Sequence, residues 1–243
     1  MSKKFWLGAV AFAMVSAMSI RSEAAILLSW NTNANLGTET SEPSVTNDLS
    51  ISAAALTLGA GVTAAGNGNR FGGSSWFDAG NTVAGNTIGE AVTGNNFIEF
   101  TVAPLAGFQF SATSFDFIWD RSSTGPSAVA IRSSVDSFAS DIGSVTGLLT
   151  GGTATTTLNT IPITGLNNIA TATTFRAYGF NATATTGTGG FDTVTGTTTA
   201  NVIFNGDVTA VPEPTSMALI GMFGVAGLAA RYRRKNASST VAV

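Results

Sequence analysis

The sequence predicts an all-β fold, an antiparallel β-sandwich of the jelly-roll kind, between an N-terminal signal peptide and a single C-terminal transmembrane helix. Three observations favour it. Several short segments alternate apolar and polar residues with a period of two, as strands with one buried face do. Gly-, Asn- and Ser-rich turns separate these segments, and only 10% of the residues are charged. Helical periodicity is almost absent from the central region, so a sandwich of short strands is the expected architecture.

Residues 1–24 are expected to form the signal peptide. Lys3 and Lys4 give a positively charged start, residues 5–20 are apolar, and Ser22-Glu23-Ala24 fits a small-x-small cleavage site. Cleavage after Ala24 is the first choice, and Val15-Ser16-Ala17 is the second. An uncleaved anchor is the alternative, although the apolar stretch is short for a bilayer span of about 20 residues.

Composition argues against several classes of function. Between Ala25 and Ala210 the chain has four arginines and twelve acidic residues, a formal net charge of −8. Such a region has no basic patch to neutralise phosphates, which argues against nucleic-acid binding. The chain contains neither cysteine nor histidine, and so lacks disulfides, thiolate nucleophiles and the usual general base and zinc ligand. We therefore expect a protein without enzymatic activity and without a catalytic residue.

Residues 25–182 are predicted to form the β-sandwich, the cargo domain. Its first strand is predicted at residues 26–30 and a second at 50–58, with a loop at 31–48 and an irregular Gly-rich stretch at 59–73. The clearest alternation covers 97–102, 114–120 and 127–134. The last two of these are predicted to form an antiparallel hairpin.

The faces of these strands also follow from the alternation. Phe115, Phe117 and Trp119 share one face of the segment 114–120, so we expect that face in the core. Thr-rich segments at 153–163, 173–180 and 199–208 are further strand candidates, because threonine is β-branched and its hydroxyl can face water. Residues 183–210 are expected to be either the final strands or a Thr/Gly-rich stalk.

Carboxylates are the main chemical groups of the cargo domain. Asp116, Asp120, Asp136 and Asp141 are candidates for a structural Ca²⁺ site, which needs several oxygen ligands. The alternative is a solvated acidic face or pairing with arginine: Arg121 and Arg132 are expected to pair with Asp120 and Asp136. A carboxylate-dependent hydrolase would need two acids across a groove, and sequence spacing does not reveal such a pair. No other cofactor is expected.

Tryptophans offer a second kind of candidate site. Trp119 is in register with Phe115 and Phe117 and is expected in the core. Trp76 lies beside Phe77 in a Gly-rich stretch, so we take it as the candidate platform for stacking on a sugar ring. On this alternative the protein is a carbohydrate-binding module of the cell envelope.

The C-terminal segment has three consecutive parts. Pro212 and Pro214 favour an extended segment across residues 211–215. An uncharged apolar run follows at 217–230, and basic residues come directly after it, as at the cytoplasmic end of a membrane helix. These basic residues are Arg231, Arg233, Arg234 and Lys235. We therefore expect the C-terminus, with the short tail 236–243, to lie in the cytoplasm.

This segment resembles the PEP-CTERM sorting domain of Gram-negative bacterial envelope proteins. The resemblance covers about residues 211–235 and rests on Val211-Pro212-Glu213-Pro214, the apolar run and the Arg-rich end, in that order. It implies recognition at Pro212-Glu213-Pro214 by an exosortase, a membrane transpeptidase-like enzyme, with cleavage nearby and release or attachment to the surface matrix. The eight residues after the basic cluster depart from the pattern of many members. The block 96–145 also resembles a segment found in other cargo domains with this tail, and that resemblance implies no activity.

Together these features predict an exported structural protein of the cell surface or extracellular matrix, associated with exopolysaccharide. It would be held briefly at the inner membrane by its C-terminal helix and then sorted. Residues 215–230 would form a helix of about 24 Å, shorter than the roughly 30 Å hydrocarbon core. A short span suits a transient stop, and a plain C-terminal anchor is the alternative.

Overall fold

The computed structural model describes residues 25–77, 86–194, 196 and 198–211. The expected signal peptide, the apolar run 217–230 and the tail 236–243 lie outside these residues. Within the described ranges, no helix has the length and apolar character needed to span a membrane.

Two antiparallel sheets make up the domain, which confirms the all-β prediction; the jelly-roll connection pattern remains a prediction. The larger sheet has eight strands in the order β3-β1-β14-β8-β13-β6-β5, with β11 paired to β8. Its strands are β1 (Ala25–Trp30), β3 (Thr46–Asn47), β5 (Thr63–Ala64), β6 (Arg70–Ser74), β8 (Phe108–Arg121), β11 (Leu158–Pro162), β13 (Gly189–Asp192) and β14 (Val202–Ala210).

The smaller sheet has six strands in the order β10-β9-β12-β7-β4-β2. Its strands are β2 (Ser41–Pro43), β4 (Ala55–Leu58), β7 (Phe97–Val102), β9 (Ala128–Ser133), β10 (Gly143–Thr146) and β12 (Thr173–Phe180). One short helix, α1 (Ile88–Thr93), and two 3₁₀ turns, Ser134–Asp136 and Gly151–Thr156, complete the described elements.

An aromatic cluster joins the two sheets. Phe100 and Phe175 of the smaller sheet face Phe115 and Phe204 of the larger one, with ring centroids 5.6 Å apart for Phe100–Phe115 and 4.6 Å for Phe175–Phe204. All four rings are at most 2% exposed. Such aromatic pairs add to the free energy gained by burying their area. The predicted core face of Phe115, Phe117 and Trp119 is confirmed, since each is at most 1% exposed.

The hairpin predicted between 114–120 and 127–134 is wrong. β8 pairs with β11, β13 and β14, whereas β9 pairs with β10 and β12 in the other sheet. The loop between them leads from one sheet to the other, and the ring N–H of Trp119 donates to the carbonyl of Pro126 in this loop at 3.1 Å. Alternation predicts which residues of a strand are buried, but it does not identify the strand's partner.

Other boundaries also differ. The predicted loop 31–48 contains β2 and β3, the predicted strand 50–58 is regular only over β4, and the predicted irregular stretch 59–73 contains β5 and most of β6. β6 includes two consecutive glycines, Gly72 and Gly73, paired with Gly190 and Gly189 of β13. Glycine is depleted in strands, so composition alone argued against this pairing.

Residues 183–210 contain final strands of the sandwich. β13 lies between β8 and β6, and β14 lies between β1 and β8. Because both strands have neighbours on two sides, the boundary expected at residue 182 does not separate two structural units. The stalk alternative is therefore wrong for β13 and β14.

Candidate functional site

The last strand brings the C-terminal segment to one end of the sandwich. Ala210 ends β14 and pairs with Phe108, the first residue of β8. The amide of Val211 then donates to the carbonyl of Gly107 at 2.8 Å. Gly107 has a φ of +83°, a conformation that glycine adopts without steric cost. The other predicted sorting and membrane-flanking residues lie outside the described residues: Pro212, Glu213, Pro214, Arg231, Arg233, Arg234 and Lys235.

Both ends of the described domain leave from the same side. Ala25, the first residue of β1, pairs with Gly206 of the antiparallel strand β14. Because Gly206 is four residues before the end of β14, the start of β1 lies on the same side of the sandwich as that end. We call this the exit end of the sandwich, formed by Ala25, the loop 103–107 and Val211. Both apolar segments of the sequence, 5–20 and 217–230, are thus connected to the exit end.

Trp76 is not a surface platform, and its role as a sugar-binding residue is wrong. Its side chain is 0% exposed, and its ring N–H donates to the carbonyls of Gly73 at 2.8 Å and Gly189 at 3.2 Å. The ring packs edge-on against Trp119 at 5.7 Å between centroids. A sugar can stack only on an exposed ring face, so Trp76 is a core residue, and its ring N–H bridges the adjacent strands β6 and β13.

The four candidate calcium ligands are held by protein groups at different places. Asp116 accepts from Asn205 Nδ2 at 2.7 Å, and Asp120 accepts from Asn67 Nδ2 at 2.6 Å. Asp136 accepts from the amides of residues 139 and 140 in its own turn. In the part of the chain that the structure describes, no group of three or more His, Cys, Asp or Glu residues is placed to hold a metal.

The expected arginine pairs are also replaced by others. Arg132 pairs with Asp141, with Nε and Oδ1 2.6 Å apart, and Asp136 is not its partner. Arg121 donates from Nε to the carbonyl of Leu148 at 2.8 Å. Asp120 pairs instead with Arg70, on a different strand. Sequence adjacency therefore predicted the wrong partner in both cases, because the fold brings together more distant groups: Arg70 lies two strands away from Asp120, and Asp141 lies in the loop before β10.

A polar cluster around Arg70 was not predicted. Arg70 of β6 is directly opposite Asp192 of β13, and its Nη1 lies 3.5 Å from Asp120 Oδ2 on β8. Gly190 lies between them, and a Cβ there would come within 3.0 Å of the Arg70 Cγ. The absence of a side chain at this position lets the guanidinium cross from β6 towards β8.

The cluster is covered by loops. The loop 31–36 bonds to the loop 67–69 through the carbonyls of Leu36 and Asn35. As a result Arg70 is only 1% exposed and Asp192 only 5%. Asp120 and Asp192 line one open cleft of about 230 Å³, together with Asn67, Asn69 and Thr193.

Burial favours the protonated form of Asp192. The pKa of Asp192 is raised to about 6, mainly by desolvation, and the nearby carboxylate of Asp120 contributes to this rise. The amide of Thr193, which donates to Asp192 Oδ1 at 2.8 Å, and the charge of Arg70 oppose this rise. Two acids in one cleft meet the first requirement of the hydrolase hypothesis, which stays a prediction. Both acids also serve as counter-charges for Arg70.

Stability should depend on pH through Asp192. Because its pKa is higher in the folded state, at about 6, than the ordinary value of 3.8, the folded protein binds this proton more tightly. The contribution is therefore present below about pH 4 and is lost as pH rises through about 6, lowering the unfolding free energy by on the order of 3 kcal/mol. Urea titrations at several pH values measure this change.

The control for this prediction is Asp192→Asn. Other carboxylates titrate in the same range, including Glu42, whose pKa is also raised by desolvation. The difference between the parent protein and the variant isolates Asp192. A difference that is independent of pH between 4 and 6 would contradict the proton-linked role of this carboxyl group.

The described geometry defines an all-β domain of two sheets whose C-terminal segment leaves at the exit end. Residues 210–235 match the family described as the PEP-CTERM protein-sorting motif, so the chain carries that motif at the position expected from the sequence. The motif supports a protein that is sorted to the cell surface. No curated protein and no solved structure matches the chain significantly.

Proposed function

We propose that this is a non-enzymatic structural protein of the cell surface or extracellular matrix, associated with exopolysaccharide, and that Pro212-Glu213-Pro214 is the peptide read by an exosortase-type enzyme. The match to the sorting motif at residues 210–235 carries this proposal. The position of Val211 supports it, because this residue is 37% exposed at the exit end. A segment that begins on the surface can be reached by an enzyme without opening the sandwich.

The connection of both apolar segments to one end supports a transient membrane stage. With the apolar run 217–230 in the inner membrane and the basic cluster on the cytoplasmic side, the domain lies outside with its exit end facing the bilayer. Cleavage near Pro212-Glu213-Pro214 then releases a domain whose last strand is complete, since β14 ends at Ala210. The matrix role requires no catalytic group.

Deleting Pro212-Glu213-Pro214 should prevent sorting and leave the protein in the inner-membrane fraction. The deletion removes the recognised peptide but keeps both the apolar run and the basic cluster. Immunolocalisation and cell fractionation in the native host measure the change. The matched control deletes Ser238-Ser239-Thr240, beyond the basic cluster, and should be sorted normally. An unchanged location for the first deletion would count against sorting through this motif.

Intact mass on the parent protein separates sorting from plain anchoring. A species outside the cell that starts near Ala25 and ends between Pro212 and Thr215 is the expected product. A membrane-bound species that still carries residues 217–235, with no shorter form outside, would mean that the segment is an ordinary anchor. Co-purification of the released form with the host's own polysaccharide tests the matrix association separately.

A further inference from the structure

Apolar side chains are exposed around the point where the chain leaves the domain. Leu49 is 95% exposed, Leu105 45% and Val211 37%. Leu49 belongs to the turn 48–50, Leu105 to the loop 103–107, and Val211 follows the last strand. We call these three residues the exit patch.

Backbone hydrogen bonds hold the three parts of the patch together. The amide of Leu105 donates to the carbonyl of Ser50 at 2.8 Å, next to Leu49. The amide of Phe108 donates back to the carbonyl of Leu105 at 3.0 Å, and that of Val211 donates to the carbonyl of Gly107 at 2.8 Å. The turn 48–50, the loop 103–107 and the C-terminal exit are therefore adjacent and fixed relative to one another.

Exposure alone does not identify what covers the patch, because the opposite end also has an exposed leucine. Leu36 is 71% exposed, and its carbonyl accepts from Asn67, whose side chain binds Asp120 near the far end of β8. Asp120 is twelve residues from Phe108 along β8, roughly 40 Å in an extended strand. Leu36 is thus a matched reference at the opposite end.

The length of the connecting segment distinguishes the two ends. Met217, where the uncharged apolar run begins, is six residues beyond Val211. Even a fully extended chain covers only about 21 Å over six residues. When the run 217–230 is inserted in a bilayer, the exit patch is held within this distance of the lipid, whereas Leu36 is not. The short tether gives the patch a high effective concentration at the surface.

From this geometry we propose that the exit patch docks on the phospholipid bilayer while the C-terminal segment is inserted, with Leu49 entering the boundary between headgroups and acyl chains. The proposal rests on the membrane stage of the proposed function. Interfacial side chains insert about 5–10 Å and gain from apolar burial. The neighbouring Asp48 uses its carboxylate to accept from the amide of Ser50 at 2.7 Å, and the domain is acidic overall. Because these charges are negative, they do not attract the exit patch to the bilayer. The attraction between the patch and the bilayer is therefore hydrophobic, and salt should not weaken it.

The absence of cysteine from the chain allows a direct test. Leu49→Cys and Leu36→Cys are each labelled with an environment-sensitive NBD probe in the otherwise complete chain. Each is reconstituted in vesicles of phosphatidylethanolamine with a minor fraction of phosphatidylglycerol. The expected result is a blue shift and a several-fold rise in emission for the probe at position 49 only, with quenching by lipids that carry a nitroxide near the headgroup.

Each outcome decides the proposal. If the chain floats with vesicles but the probe at position 49 keeps the emission it shows in water, the docking is overturned and the anchor is left intact. The sorting enzyme would then be the next occupant to consider. Failure of the chain to float would overturn both the anchor and the docking. Emission that rises with protein density in the vesicles, instead of being independent of it, would assign the patch to a second copy of the chain and overturn lipid docking.

Discussion

Replacing Arg70 by methionine is expected to lower the free energy of unfolding at neutral pH by about 3–5 kcal/mol, as for other buried ion pairs that lose one partner. Arg70 is 1% exposed, and its Nη1 binds Asp120 Oδ2 at 3.5 Å and Thr188 Oγ1 at 3.2 Å. Methionine keeps much of the side-chain length but leaves Asp120 and Asp192 without a counter-charge under the covering loops. Equilibrium urea unfolding measures the loss.

Two further variants show whether charge and burial cause this loss. The triple variant Arg70→Met, Asp120→Asn and Asp192→Asn removes the uncompensated charges and should recover more than half of the lost stability. Arg176→Met removes a partly exposed partner of Glu99, whose carboxylate lies 2.9 Å from Arg176 Nε. This control should cost only about 1 kcal/mol. Equal losses for Arg70→Met and Arg176→Met would show that burial of the first pair is not the cause.

The parts of the fold that could be predicted depend on local pattern. Strand β7 was predicted with its observed bounds, and the buried face of Phe115, Phe117 and Trp119 was correct, because a period of two reports directly which side chains face the core. The sorting segment could also be predicted, since prolines, an apolar run and a basic end are contiguous in sequence. Helix α1 was missed, although its capping box at Thr87 and Glu90 is a recognisable local signal.

The parts that could not be predicted depend on contacts between distant residues. Arg70 and Asp120 are 50 positions apart, and nothing in the pattern of either strand indicates that β13 brings Asp192 beside them. The assignment of β8 and β9 to different sheets also depends on partners far along the chain. The glycines of β6 and β13 misled the prediction for the same reason: their lack of a side chain matters only because distant parts of the chain pack against them, such as the backbone of Thr63 at Gly73 and the side chain of Arg70 at Gly190.

The largest correction to the candidate site leads to the second prediction, that Trp76→Ala destabilises the domain by about 3–5 kcal/mol, as for other large aromatic residues removed from a core. The indole is fully buried, and its N–H donates to one carbonyl on each strand, Gly73 of β6 and Gly189 of β13. Truncation would leave a cavity beside Trp119 and two carbonyls without this donor. Thermal and urea unfolding measure the effect.

Trp76→Phe separates packing from hydrogen bonding, since it keeps an aromatic ring and removes the N–H donor. It should lose less stability than Trp76→Ala. Its expected loss relative to the parent protein, from the smaller ring and the missing donor, is on the order of 1–3 kcal/mol. A sugar-stacking residue would behave in the opposite way: both variants would unfold like the parent, and only Trp76→Ala would fail to bind polysaccharide. Unchanged stability of Trp76→Ala would therefore contradict the core role, because an indole with no exposed surface cannot be removed from a packed sandwich without cost.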